Sequence, residues 1–169
     1  LYERLVAGER LHPGIAAWLP ERVGLAVEVG AGAGRLTVEL APRCDTLIAV
    51  EPAGPMRARL AERVADLDGV EVRDGFFERL PVPDAWADLV VACSAFTRER
   101  GHGSDDGLAE MLRACAPGGL VVVIWPDDPA WLVSRGFAHV EFPGEMAVEF
   151  ASAEDAAELA RVFAPGAVG

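Results

Sequence analysis

The stretch Ala26-Val27-Glu28-Val29-Gly30-Ala31-Gly32-Ala33-Gly34-Arg35-Leu36-Thr37 constrains this chain more than any other. Val27 and Val29 are β-branched and suit a sheet interior. Three glycines at alternate positions follow, a residue type that permits positive φ and close approach to the backbone. From Arg35 the apolar residues Leu36, Leu40 and Ala41 take a helical spacing. The pattern predicts a buried strand, a glycine turn and the start of a helix, whose free N–H groups favour a polar or anionic ligand.

Two details narrow that ligand. A dinucleotide fingerprint, G-x-G-x-x-G, would need glycine at position 35, where the chain has Arg35. Glu28 is a carboxylate within an apolar strand, and burying it is costly unless donors or a cation satisfy it. A ligand carrying an ammonium group would do so. The plainer alternative is an ordinary strand–turn–helix in which Glu28 caps a loop.

The 169 residues suit one domain, and 51% hydrophobic content supplies a core. No apolar run approaches the roughly 20 residues of a membrane span, and no secretory signal opens the sequence. Fifteen Lys+Arg against 27 Asp+Glu give a formal charge of −12, which disfavours a nucleic-acid partner and favours solubility. Cys44, Cys93 and Cys115 are far apart, which suggests free thiols in a reducing cytoplasm. No metal-ligand spacing occurs.

In order, residues 1–24 read as helical cover, with Pro13 breaking it or opening a second helix. Strands are expected at 26–29, 46–50, 70–72, 88–93 and 120–125. Helices are expected from Arg35 to about Ala41, Met56 to Leu67 (arginines outward), Gly107 to Ala116 and Asp127 to Ser134, the third stopped by Pro117-Gly118-Gly119. Phe137 to Phe142 and Met146 to Phe150 alternate and read as a terminal antiparallel pair. A last helix runs from Ser152 to about Phe163. The core is therefore 25–151, within a single domain.

Two acids fall at predicted strand ends, where open parallel sheets form their ligand crevice. Glu51 follows Val50 and can accept both hydroxyls of a ribose, or cap the helix near Gly54. Asp74 can accept from an exocyclic amine, with Gly75 and Phe76 beside it as backbone or ring contacts to a base; Phe77 reads as core. Met56 is either a ligand contact or a core methionine. His102, between Gly101 and Gly103, is either a general base on a mobile loop or an exposed histidine with no task. Tyr2 and Trp125 are weaker substrate-side candidates.

Glu28-x-Gly30-x-Gly32-x-Gly34, Glu51-Pro52, Asp74, the Leu80-Pro81-x-Pro83-Asp84 loop, Asp88-Leu89-Val90 and Ala116-Pro117-Gly118-Gly119 together resemble the class I S-adenosylmethionine-dependent methyltransferases, nearest the broad small-molecule type. The likeness runs from about Leu25 to Phe150. It implies a Rossmann-like three-layer α/β sandwich with a seven-stranded, mostly parallel sheet ending in the antiparallel pair. S-adenosyl-L-methionine would be the cofactor. Gly30, Ala31, Gly32 and Gly34 would lie under its methionine part, with Glu28 facing the amino group. Glu51, with Pro52, would take the ribose. Asp74 and Gly75 would meet the adenine. Cys93 and Ser94 would border the methionine end and the substrate opening. The expected activity is methyl transfer to a small-molecule acceptor by in-line displacement; a non-catalytic cofactor-binding module or regulatory subunit is the alternative. A nucleotide-dependent oxidoreductase is disfavoured by Arg35 and Glu28.

Overall fold

The computed structural model describes residues 11–144, 152–154 and 157–158. Contacts divide the chain into two compact units, Leu1–Leu19 with Glu141–Gly169, and Pro20–Val140.

In the first unit, helix α1 spans Pro13–Trp18. Pro13 opens it, because a proline at the first turn gives up no helical hydrogen bond. His12 caps it, its Nδ1 accepting from the Gly14 N–H at 3.0 Å. The Phe142 ring lies 6.1 Å from that of His12 and 6.5 Å from that of Trp18. Ala153, Glu154, Ala157 and Glu158 are helical, and the rest of the expected last helix lies outside the described residues.

The second unit is an α/β sheet structure. Its strands are β1 (Val23–Val29), β2 (Cys44–Val50), β3 (Val70–Arg73), β4 (Ala87–Cys93) and β5 (Cys115–Ile124). They form one parallel sheet in the order β3-β2-β1-β4-β5. The central strands read as apolar runs because both faces are covered. Helices α2 (Arg35–Leu40), α3 (Gly54–Arg63), α4 (Ser104–Ala114) and α5 (Pro129–Val133) alternate with them. On one face Val27, Val29, Ile48, Val50, Val90 and Ala92 pack against Leu108, Met111 and Ala114 of α4 and Leu132 of α5. On the other, Ala49 packs with Ala31, Val64 and Leu60 of α3. The ends of β1 and β4 lie side by side at the point where the strand order reverses. Ligands bind there in sheets of this kind.

Several expected boundaries move. β1 and β2 begin two or three residues early, and α3 ends at Arg63 rather than Leu67. α2 ends at Leu40, one residue before the expected Ala41, and a 3-10 turn, Ala41–Arg43, follows it. α4 starts at Ser104, with Asp105 and Asp106 in its first turn facing the positive helix end. Pro117-Gly118-Gly119 is not a helix stop but a bulge inside β5. Ala87 pairs with Cys115 while Leu89 pairs with Leu120. A Cβ on Gly119 would stand 2.8 Å from the Asp88 carbonyl oxygen, so only glycine passes there. Phe137 to Phe142 carries no strand, and Met146 to Phe150 lies outside the described residues. Five strands are therefore present among the described residues, without the antiparallel pair.

Gly34 and Gly101 share a φ of +88°. A Cβ on Gly34 would lie 2.7 Å from Leu60 Cδ1, whereas one on Gly101 meets nothing within 4 Å. Leu60 is fully buried and has nowhere to retreat. Gly101→Ala should cost about 1–2 kcal/mol, the backbone term alone. Gly34→Ala should cost at least about 1 kcal/mol more, from overpacking. Urea denaturation of the two variants checks the difference.

Candidate functional site

The turn after β1 is stitched to the tip of β2. The Gly30 and Ala31 N–H groups both donate to the Val50 carbonyl, at 2.9 and 3.0 Å. All three glycines have positive φ, but their empty sides differ. A Cβ on Gly30 would meet Ala95 Cβ at 2.6 Å, and the place beside Gly34 is filled by Leu60. Only Gly32 faces open space, with Met56 Cε its nearest neighbour at 4.0 Å. Gly30 and Gly34 serve packing as well as the turn, and Gly32 lines the opening. Ala31 is buried and joins the α3-side core.

The Glu51 carboxylate closes this turn. Oε2 accepts from the Gly32 N–H at 2.8 Å and Oε1 from the Ala53 N–H at 2.9 Å, just before α3. The residue is 7% exposed. The N-cap of α3 is Ala53, with no side-chain hydrogen bond to the helix, so Glu51 does not cap it as expected; its carboxylate ties the glycine turn to the residue before the helix. Arg57 was expected to point outward from α3, yet it turns back to the sheet. Its Nη1 donates to the Glu51 and Pro52 carbonyls at 2.8 and 2.9 Å and reaches Asp74 Oδ1 at 3.2 Å. Nothing in the helical spacing announces this. The signal available was an arginine one turn after a glutamate at a strand end, with a second acid after the next strand.

Asp74 is exposed at the end of β3. Gly75 has no room for a side chain, since a Cβ would lie 2.8 Å from Val50 Cγ1 and 2.9 Å from Pro81. Phe76 is 54% exposed beside it, whereas Phe77 is buried against Phe96, ring to edge at 5.5 Å. The Asp84 carboxylate takes Arg113 at 2.7 Å, and Arg113 also donates to the Leu80 and Val82 carbonyls, fixing the proline loop.

Glu28 points away from the Val27 and Val29 face and is 2% exposed. Thr37 of α2 donates to it at 2.6 Å. Burial lifts its carboxyl to about 8; the Thr37 hydrogen bond and the Arg35 charge oppose that rise. Arg35 lies across the tips of β4 and β5. Its Nη2 donates to Ser94 Oγ at 3.2 Å and contacts Cys93 Sγ at 3.5 Å, and its guanidinium sits 5.2 Å from the centre of the Trp125 ring. Ser94 and Trp125 both hold left-handed backbones, φ +53° and +51°, unusual for such residues. The Ser94 N–H donates to the Ile124 carbonyl at 2.9 Å, so the two strained positions are neighbours. Strain of this kind gathers at functional sites. Burial pushes the Cys93 thiol up to about 11, which leaves it protonated and a poor nucleophile.

Sequence reasoning thus placed Glu51, Asp74, Cys93, Ser94 and Trp125 at strand ends, Gly32 in the turn after β1 and Met56 early in the helix after β2, where they stand. It missed Arg57, Thr37 and the contacts of Arg35. The His102 loop carries hydrogen bonds of its own. Thr97 N donates to the His102 carbonyl at 2.8 Å, Ser104 N to the Thr97 carbonyl at 2.9 Å, and Gly101 N to Glu78 at 2.6 Å. The flanking glycines build a tight turn. His102 itself is exposed. Tyr2 lies outside the described residues.

The sequence family described as a methyltransferase domain matches residues 27–123. An uncharacterized methyltransferase of Geobacillus kaustophilus is 30% identical over 109 residues, 64% of this chain and 50% of that one. An uncharacterized methyltransferase of Mycobacterium tuberculosis is 32% identical over 113 residues, 63% of this chain and 42% of that one. The crystal structure of a SAM-dependent methyltransferase from Aquifex aeolicus superposes with a TM-score of 0.57 at 22% identity, over 66% of this chain and 62% of that one. This chain belongs to the class I S-adenosylmethionine-dependent methyltransferases. It spans about half the length of the first of these relatives. Among the described residues no helix is long and apolar enough to cross a membrane.

The raised carboxyl of Glu28 makes stability depend on pH. Unfolded, the group titrates near 4.5; folded, near 8. The folded state therefore binds more protons between these values, and stability falls as pH rises through that window, by up to about 1.4 kcal/mol per pH unit. Below the window and above it the contribution is flat. Glu28→Gln should remove most of this slope. Denaturation midpoints at pH 5, 6, 7 and 8 for both proteins check it.

Proposed function

We propose that this chain binds S-adenosyl-L-methionine at the tips of β1 to β4 and transfers its methyl group to a small-molecule acceptor. The observation that carries the reading is the Glu51 carboxylate bridging Gly32 and Ala53. An ionised carboxylate offers about four acceptor positions. Two are used, which leaves capacity for the paired hydroxyls of a ribose. The donor set suits the group in other ways. Gly32 has an open side, and a second carboxylate, Asp74, stands on the adjacent strand for an exocyclic amine. Met56 and Phe76 offer apolar surface beside them.

Bound S-adenosylmethionine supplies a methyl group already activated by positive sulfur. The chain's own work is then positional, and orientation contributes most of the acceleration in such a transfer. Glu51, with Pro52, holds the ribose. Asp74 and Gly75 hold the adenine. Gly30 to Gly34 give a floor for the amino-acid part, and Glu28 answers its ammonium from beneath. Cys93 and Ser94 border the acceptor's opening, with Arg35 and Trp125 as its wall. An acceptor that is already a carboxylate or thiolate needs no base here, whereas a neutral hydroxyl or amine needs one. The acidic surface suits a small acceptor better than nucleic acid.

Glu51→Gln and Glu51→Ala should each lower affinity for S-adenosylhomocysteine about tenfold or more, because charge-assisted hydrogen bonds are lost. Isothermal calorimetry beside circular dichroism checks this. Unchanged affinity in a folded variant would remove the ribose assignment.

A further inference from the structure

We propose that Arg57 is the positioning residue for base selection: it holds the Asp74 carboxylate as the acceptor for a 6-amino purine and against a 6-oxo purine. The inference rests on the cofactor reading above and concerns how that site tells one base from another.

The geometry is specific. Arg57 belongs to α3, Asp74 to the end of β3, and the Glu51 and Pro52 carbonyls to the end of β2. One guanidinium nitrogen, Nη1, serves all three acceptors, at 2.8, 2.9 and 3.2 Å. The two carbonyls cannot move, because they lie on the backbone at the strand tip that the glycine turn is bonded to. They fix the cation first, and the cation fixes the carboxylate. Without it, an aspartate side chain 65% exposed would sample several rotamers in water. The pair adds little to folding stability, since ion pairs this exposed seldom do. Its effect is instead to reduce the freedom of a carboxylate at the end of β3. Arg57 bonds only Oδ1, so Oδ2 is left to accept from a ligand.

The surroundings define what that ligand edge must be. Gly75 closes the floor beside Asp74, with no space for even a Cβ. Phe76 presents an exposed ring next to it. A flat base on that ring, offering an N–H donor toward Oδ2, is satisfied. A base that offers a carbonyl oxygen at the same place sets two acceptors against each other. Sites built around a hydrogen bond reject partners that lack it far more strongly than apolar pockets reject a change of size. The rejection requires that the carboxylate stay put, and Arg57 supplies that. The same guanidinium touches the backbone of the ribose-binding Glu51, so base and sugar recognition share one anchor.

The test is calorimetric titration of the 169-residue chain with S-adenosylhomocysteine and with S-inosylhomocysteine, its 6-oxo analogue. Arg57→Met should lower affinity for the adenosyl compound about tenfold and for the inosyl compound twofold or less. The preference ratio then narrows about fivefold. Asp74→Asn should narrow it as well, and adding Arg57→Met to Asp74→Asn should change the ratio no further, as expected for two residues acting as one unit. Arg57→Lys keeps a charge without the planar fork and should give an intermediate ratio; it carries the test if Arg57→Met does not fold. Equal loss for both ligands, or no loss for either, overturns the role of Arg57 while leaving the cofactor reading intact. Failure of the unsubstituted chain to bind S-adenosylhomocysteine overturns both.

Discussion

The candidate site at the strand tips depends on how the glycine turn is tied to the tip of β2. The Val50 carbonyl accepts from Gly30 and Ala31, and the next side chain, Glu51, accepts from Gly32. Three successive N–H groups of a turn that has no regular structure of its own are thereby satisfied by two adjacent residues of a neighbouring strand. A buried turn with these groups unmet would be expensive. The parallel register, Val29 opposite Val50, brings them level. The sheet thus sets the turn, and the turn sets where a ligand can approach.

The placement of Glu28 and Arg35 follows from the same arrangement. Glu28 sits one residue before the end of β1, on the face covered by α2, and Thr37 of that helix is its donor. Arg35 opens α2 and reaches the other way, to Ser94 and Trp125. A short helix of six residues therefore carries a hydroxyl inward and a cation along the strand tips. Neither contact is a matter of helix propensity. Both come from the turn delivering α2 at a fixed place above β1 and β4.

Much of this was legible in the sequence because it is local. Glycine spacing, β-branched strand residues and an acid after Val50 are features of single segments, and each predicted its own structure. What escaped depends on long-range pairing. Arg57 reads as a solvent-facing helix residue until β2 and β3 are seen beside it. Pro117-Gly118-Gly119 reads as a stop because its residue types favour turns. It is in fact where β5 passes the Asp88 backbone too closely for a side chain. The alternation at Phe137 to Phe142 predicted a strand, but alternation needs a partner edge to become one, and these residues take none among the described residues.

The strand order has a consequence for when the site comes into being. β1, β2 and β3 bring Glu28, Glu51 and Asp74 from the first half of the chain, while β4 and β5 bring Ser94 and Trp125 from the second. Within the sheet the two halves are joined by the pairing of β1 with β4, beside which the Leu25 N–H finds Asp88 across 63 residues of sequence. Such distant pairings form slowly relative to neighbouring ones. A nascent chain that has completed only the early strands has the grip without the opposite wall. Any small molecule that spans both halves would then act as a clasp, drawing the population toward the finished sheet.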